Sequence, residues 1–242
     1  MSDLRVVLAK EWLELRKSDS MWVAVATLIV FLAMIGIFLP WLLGPLWLRA
    51  PWVTMIWAWI PMFLVTTVTA DSFAGERERR TLETLLATRL SDGAILWGKW
   101  LAAVVWVAGA MLLSFPLGVL SLNLMFAQGP YLPSIGQVLA TVAVAFAAGG
   151  LGGALGILVS LRAASVRHAQ QVLAIMVFTI AFVPLTVLRL APRDWTSGIF
   201  SALTSGSPAS TGWIFAGILA AGAAPILAMA HMRFRRGRIP LK

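Results

Sequence analysis

With 242 residues, 60% of them hydrophobic and only 12% charged, and a mean hydropathy of +0.89, the chain is far too apolar for a soluble domain. A net charge of +9 could suit nucleic acid on a soluble basic fold with stacking aromatics, but this composition excludes such a fold. Without a cysteine, disulfides and thiolate metal sites are excluded as well.

The first 20 residues carry four bases and four acids. Within them Leu4, Val7, Leu8, Trp12 and Leu15 fall at helical spacing, so residues 1–20 are predicted to form an amphipathic helix at a membrane interface. A cleaved signal peptide would place its apolar core earlier, and the first apolar run is therefore expected to be retained. A spanning helix needs about 20 apolar residues. Runs at about 21–43, 52–70, 100–124, 135–161, 169–190 and 209–232 qualify, making 21–242 a six-span, all-α integral membrane domain. The runs are continuous, not alternating, which excludes a β-barrel.

The first connection, GPLWLRAP, is stiffened by Pro45 and Pro51. Trp41, Trp47, Trp52, Trp57 and Trp59 surround it as an aromatic belt, with Trp57 and Trp59 also candidates for a substrate-contacting wall because they lie deeper in the second span. The fourth span contains AAGGLGGALG, with Gly149 and Gly153, and Gly152 and Gly156, four residues apart. That spacing allows close helix approach, within the subunit or between subunits. Residues 191–208 mix apolar and polar groups in a manner suited to a short helix dipping into the outer leaflet.

Sixteen of the 19 Lys and Arg residues lie on the side that would hold both termini, against Arg49, Arg189 and Arg193 opposite. The positive-inside rule then places both termini and residues 71–99 in the cytoplasm of a multi-pass plasma-membrane protein. The basic tail from Arg233 to Arg238 suits anionic lipid headgroups.

Catalytic chemistry finds little purchase. His168 and His231 sit near span ends, and no H-E-x-x-H or G-x-S-x-G motif occurs. Gly93 to Lys99 satisfies G-x-x-x-x-G-K, but Trp100 stands where magnesium binding needs Ser or Thr, and no strand precedes it. Span interiors lack the ionisable groups that ion-coupled transporters place near the midplane. Candidate polar pathway residues are Thr66, Thr67, Thr69, Ser114, Ser121 and Asn123, for which helix capping and interhelical hydrogen bonding are the alternative roles.

Residues 71–99 hold ten of the 29 charged side chains. Phe73 to Leu86 can form a helix with Glu76–Arg80 and Arg79–Glu83 pairs four apart and with Leu82, Leu85 and Leu86 on another face. About 25 residues are more than a helix hairpin needs, which points to a docking element. Gly75 could allow a bend, and Ser91 or Asp92 is the natural N-cap of the third span.

Asp71, then G-E-R-E-x-x-T-L-E-x-L-L over Gly75 to Leu86, then Gly98-Lys99, resembles the pattern of ABC-2 type permeases of ABC transporters. An amphipathic leader with Lys10-Glu11 and six spans is similar to that family too, whereas Arg89 departs from it where a proline often follows the leucine pair. The resemblance implies an ABC-2 exporter fold and a permease that dimerises with itself or a similar subunit. It also implies two separate cytoplasmic ATPase subunits that hold the ATP and magnesium, with no catalytic, cofactor or metal site on this chain. Glu76, Arg77, Glu78, Arg79, Arg80, Thr81 and Glu83 would then form the coupling element, and Arg162 and Arg167 of the 162–168 turn a lesser one. The alternatives are an ATPase-independent secondary transporter or channel, and a structural membrane subunit.

Overall fold

The computed structural model describes residues 3–17, 21–126, 130–192, 196–198, 201 and 205–234, and their regular structure is helical throughout. In chain order the helices are α1 (Asp3–Lys17), α2 (Met21–Ala33), a π-helical turn (Met34–Phe38), α3 (Leu39–Leu43), α4 (Leu46–Arg49), α5 (Val53–Glu78) and α6 (Leu82–Leu86). There follow α7 (Asp92–Met125), α8 (Ile135–Ser160), α9 (Val166–Leu190) and α10 (Pro208–Arg233).

Among the described residues, four helices, α5, α7, α8 and α10, are long and apolar enough to cross a membrane. The apolar runs at 21–43 and 169–190 overlap two shorter apolar helical stretches, Leu28–Leu43 and Val166–Ile180. Of the segment expected to dip into the membrane, residues 193–195, 199–200 and 202–204 lie outside the described ones, as do Arg235, Arg236 and Arg238 of the basic tail.

Serine hydroxyls start α7, α8, α9 and α10. Ser91 accepts from the Ala94 N–H, Ser134 from Gln137, Ser165 from His168 and Ser207 from Ser210, each satisfying an otherwise orphaned donor. Gly44, at φ 56°, ends α3 in a backbone conformation that favours glycine. The π turn has a counterpart across the bundle. The Ser121 hydroxyl of α7 donates to the Gly36 carbonyl at 2.5 Å, and a Cβ at Gly36 would come within 2.7 Å of the Leu117 side chain.

The glycine-rich stretch of α8 serves packing within the chain, on two faces. Gly152, Gly156 and Ser160 follow one another at four-residue intervals against α5, where a Cβ on either glycine would fall inside Val65 or Thr69. Gly149 and Gly153 instead meet Val104 and Trp100 of α7, and the Trp100 indole N–H donates to the Gly150 carbonyl at 3.0 Å. These close approaches bring α5 and α7 against α8; α5 and α8 share an apolar cluster with α9 and α10, and Gly212 of α10 meets Ala140 of α8. Helix α9 behaves differently along its length. Ala169, Leu173 and Val177 are fully buried against the core, whereas Phe182, Val183, Val187 and Leu190 are exposed.

Candidate functional site

At one end of the bundle α5 continues eight residues past the last apolar position of its run, Ala70, and α7 starts eight residues before Trp100. Asp71, Glu76, Arg77, Glu78, Asp92 and Lys99 therefore ride on these two continuous helices, and Arg79, Arg80, Glu83 and Arg89 lie in the stretch between them. The predicted helix over Phe73 to Leu86 is not continuous. Arg80 takes φ 56°, a region that costs a non-glycine residue about 1–2 kcal/mol, and it turns the chain from α5 into the short α6. The Thr81 N–H closes this turn on the Glu76 carbonyl at 2.9 Å.

The predicted i, i+4 pairs are replaced by other partners. Arg79 bonds Asp71 at 2.9 Å, back along α5. Glu76 is only 3% exposed and turns inward, where Oε1 takes Lys10 Nζ from α1 at 2.6 Å and Lys99 Nζ from α7 at 3.0 Å. Lys99, 2% exposed, also bonds Glu11 of α1 at 2.7 Å, and its ammonium lies 5.4 Å from the centre of the Phe73 ring. Glu76 Oε2 is buried and accepts no hydrogen bond among the described residues. Four charges from three helices thus share one small apolar-walled site. Glycine makes room for it, since a Cβ at Gly98 would come within 2.5 Å of the buried Val7 side chain of α1. As a buried ion cluster it says more about which helices meet, and in what register, than about net stability. A coupling role for Glu76 through direct contact with a partner does not suit this inward geometry.

Arg77 and Glu78 reach the turn between α8 and α9. The Arg77 guanidinium donates to the carbonyls of Ala163 and Leu161 at 2.5 and 2.9 Å, and Glu78 Oε1 accepts from the Val166 N–H at 3.0 Å. One turn earlier, the Ser160 hydroxyl accepts from the N–H groups of Phe73 and Ala74 and donates to the Ala70 carbonyl at 3.1 Å. A hydroxyl has one donor and two acceptor sites, so all three are used. Arg80, Thr81, Glu83, Arg89, Arg162, Arg167 and His168 remain exposed around this junction. Leu82 and Leu85 of α6 are buried with Phe73, Ile95, Leu96 and Phe234, which fixes α6 to the bundle end.

Among the described residues, the candidate pathway side chains are mostly buried within the subunit. Trp57 is 4% exposed and packs against Trp47 and Phe115, with ring centres 5.1 and 5.3 Å away. It is a core residue within the subunit, not a wall. Beside it lies a cavity of about 10 Å³, bordered by Thr54, Gln137 and Thr141, about the room one water needs. Trp41 and Trp52, by contrast, are exposed. Ser114 is fully buried and donates to Met111 of its own helix; Thr69 does likewise to Val65. The side chains of Thr66 and Thr67 lie outside the described residues. Asn123 clamps the connection to α8. Its amide donates to the carbonyls of Val119 and Tyr131, and its carbonyl accepts from the Tyr131 N–H at 2.8 Å. Asn123→Ala is expected to speed proteolytic nicking and amide exchange around residues 126–131 several-fold while leaving the melting temperature nearly unchanged, since only a local opening is made easier.

Gly93 to Lys99 is helical from end to end, with Gly98 and Lys99 buried, and forms no phosphate-cradling loop. No group of three or more His, Cys, Asp or Glu side chains among the described residues could hold a metal. Sequence reasoning missed Ser160 as a bridge and Lys10, Glu11 and Lys99 as the partners of Glu76. The available signal was a charged pair on an otherwise apolar-faced leader and a lysine directly after a glycine at the start of a span.

A family model described as ABC-2 family transporter protein matches residues 53–236. The chain is also similar to the ABC transporter permease protein NatB of Bacillus subtilis (strain 168), with 28% identity over 160 residues, covering 60% of this chain and 41% of that relative. The match thus spans less than half the length of NatB.

Proposed function

Because this chain belongs to the ABC-2 family of transporter proteins, and so is a membrane subunit of an ABC transporter, we propose that it is the permease of an ATP-driven exporter. It works as a dimer, with itself or a similar permease, and two separate ATPase subunits supply ATP hydrolysis. Six helical passes place both termini and the charged bundle end in the cytoplasm. Two of them are the run from α2 to α3 and α9, and α1 lies along the interface as an amphipathic strap. The apolar half of α9 beyond Val177 is one face left for lipid or for the second permease.

The extension of α5 and α7 past their apolar runs carries the coupling assignment. Eight residues at 1.5 Å each raise Glu78 and Asp92 about 12 Å beyond the hydrocarbon edge, while the headgroup layer on each side is about 5–8 Å thick. Arg79, Arg80, Thr81 and Glu83 therefore stand in water, within reach of a soluble subunit. Arg77 and Glu78 support them from behind. Glu76 contributes from inside, by holding α1 and α7 to the coupling end of α5.

Arg80→Glu combined with Glu83→Arg changes exposed side chains only. The double variant is expected to co-purify with at least fivefold less ATPase and to lose transport-linked ATP turnover, with the permease still folded. Unchanged association and turnover would remove the coupling assignment.

A further inference from the structure

We infer that the run from α2 to α3 is jointed: α2 pivots on the π-helical turn at Met34–Phe38 against a fixed outer half, and Ser121 of α7 is the positioning residue that holds the joint. The inference goes beyond the exporter reading and draws on it only for the nucleotide states in part of the test.

The turn follows from a missing donor. In an α-helix the Gly36 carbonyl would accept from the residue four positions on, but that residue is Pro40, which has no N–H. The backbone pairing widens here, with the Leu39 N–H bonding the Met34 carbonyl five residues back. Ser121 supplies the donor that Pro40 lacks, at 2.5 Å from the Gly36 carbonyl. The same hydroxyl has a second acceptor in reach, the Gly118 carbonyl of its own helix at 3.1 Å. A serine hydroxyl carries one proton, so it either holds Gly36 or turns back to Gly118. The hydroxyl is satisfied in both states, so releasing Gly36 leaves no donor stranded in an apolar interior.

Packing decides which half moves. Past the turn, Pro40, Gly44, Trp47 and Leu48 are buried, the Trp47 indole lies where a Cβ on Gly118 would fall, and Gln137 of α8 donates to the Leu48 carbonyl at 2.8 Å. Before the turn, Phe31 is the one buried residue among the described side chains of α2, and Val25, Ile29 and Val30 are exposed. The outer half is therefore pinned to α7 and α8, whereas α2 has little to hold it. Helix α2 is 13 residues long, a lever of about 20 Å, so a rotation of about 10° at the turn would carry its Met21 end through about 3 Å. That end is the one that α1 leads into, so a small change at Ser121 is delivered to α1.

The absence of cysteine allows single spin labels at Ile29→Cys on α2 and at Leu42→Cys on α3, both exposed. In the permease alone in nanodiscs, Ser121→Ala is expected to raise the mobile fraction of the Ile29 label about twofold and to leave the Leu42 label unchanged. Ser121→Thr keeps the hydroxyl and should restore the wild-type spectrum. Ser114→Ala removes a buried hydroxyl that bonds only its own helix among the described residues, and should change neither label. If Ser121→Ala alters both labels alike, or does no more than lower the melting temperature, the joint is overturned and Ser121 is a packing residue. In the complete transporter, trapping with ATP and vanadate should change the Ile29 spectrum and leave the Leu42 spectrum as it was. Trapping that moves both labels alike, or neither, also overturns the joint. A complex that hydrolyses no ATP fails the exporter reading instead, and the joint is then judged by the permease alone.

Discussion

Lys99→Met is expected to lower the stability of the purified permease by about 3–5 kcal/mol, the usual loss when one member of a buried ion pair is removed. In a chain of this size that corresponds to a melting midpoint roughly 10 °C lower in detergent. The physical reason lies in what remains. Methionine fills most of the lysine volume, so packing is largely kept, but Glu76 and Glu11 then face each other with Lys10 as their only cation in the cluster, and Lys10 is itself a third exposed. Glu76 Oε2 has no hydrogen bond among the described residues to fall back on. The companion Lys99→Met with Glu76→Gln removes one charge of each sign and should recover a substantial part of the loss, a non-additivity that marks direct interaction. A single variant that melts with the wild type, or a double variant as unstable as the single one, would show that the cluster is not held as these distances imply.

The second large effect is expected at Gly156. A Cβ there would fall inside Thr69 Oγ1 and 2.4 Å from Thr69 Cβ, which no rotation of the threonine side chain moves away. Gly156→Ala should therefore cost at least the upper end of the 1–3 kcal/mol typical of overpacking, read as a lowered melting midpoint and reduced folded yield. Gly150→Ala, six residues earlier in the same glycine-rich stretch, is the control. Its new Cβ would meet only Trp100 Cζ2, at 3.4 Å, so the gain in helix propensity of about 0.8–1.0 kcal/mol is free to appear. Thr69→Ala should rescue Gly156→Ala only in part, because Thr69 Cβ obstructs as well. Equal behaviour of the two glycine variants would mean that α8 and α5 are not in this register.

The contrast between these glycines shows where sequence reading stops. Four-residue spacing announces close helix contacts, and they are present, but spacing does not say which helix lies opposite. Gly152 and Gly156 meet α5, while Gly149 and Gly153, one strip over, meet α7. Apolar runs of about 20 residues were legible because hydrocarbon imposes length and composition locally, and each run is helical where described. The Ser91 cap was legible for the same local reason. The charged segment was not. Glu76 and Arg80 have ideal spacing for a helix pair, yet Glu76 is taken by Lys99, 23 residues away, and by Lys10, 66 residues away. A surface pair contributes only a few tenths of a kcal/mol, which cannot compete with the two ammonium groups that an inward turn offers. Trp57 shows the same limit. An indole near a span end suits an interfacial belt, and only the arrival of Trp47 and Phe115 from other segments makes it core.

The ion cluster divides along the line where α1 meets the bundle. On the α1 side are Lys10 and Glu11, 3.8 Å apart; on the bundle side are Glu76 and Lys99, 3.0 Å apart. Each half holds one positive and one negative charge and is neutral by itself. Were α1 to lift away, Glu76 and Lys99 would stay bonded to each other, and Lys10 and Glu11 would return to water together. No lone charge would be stranded in the apolar interior at any stage. The joint therefore has the electrostatics of a clasp, able to open and close again with each side complete.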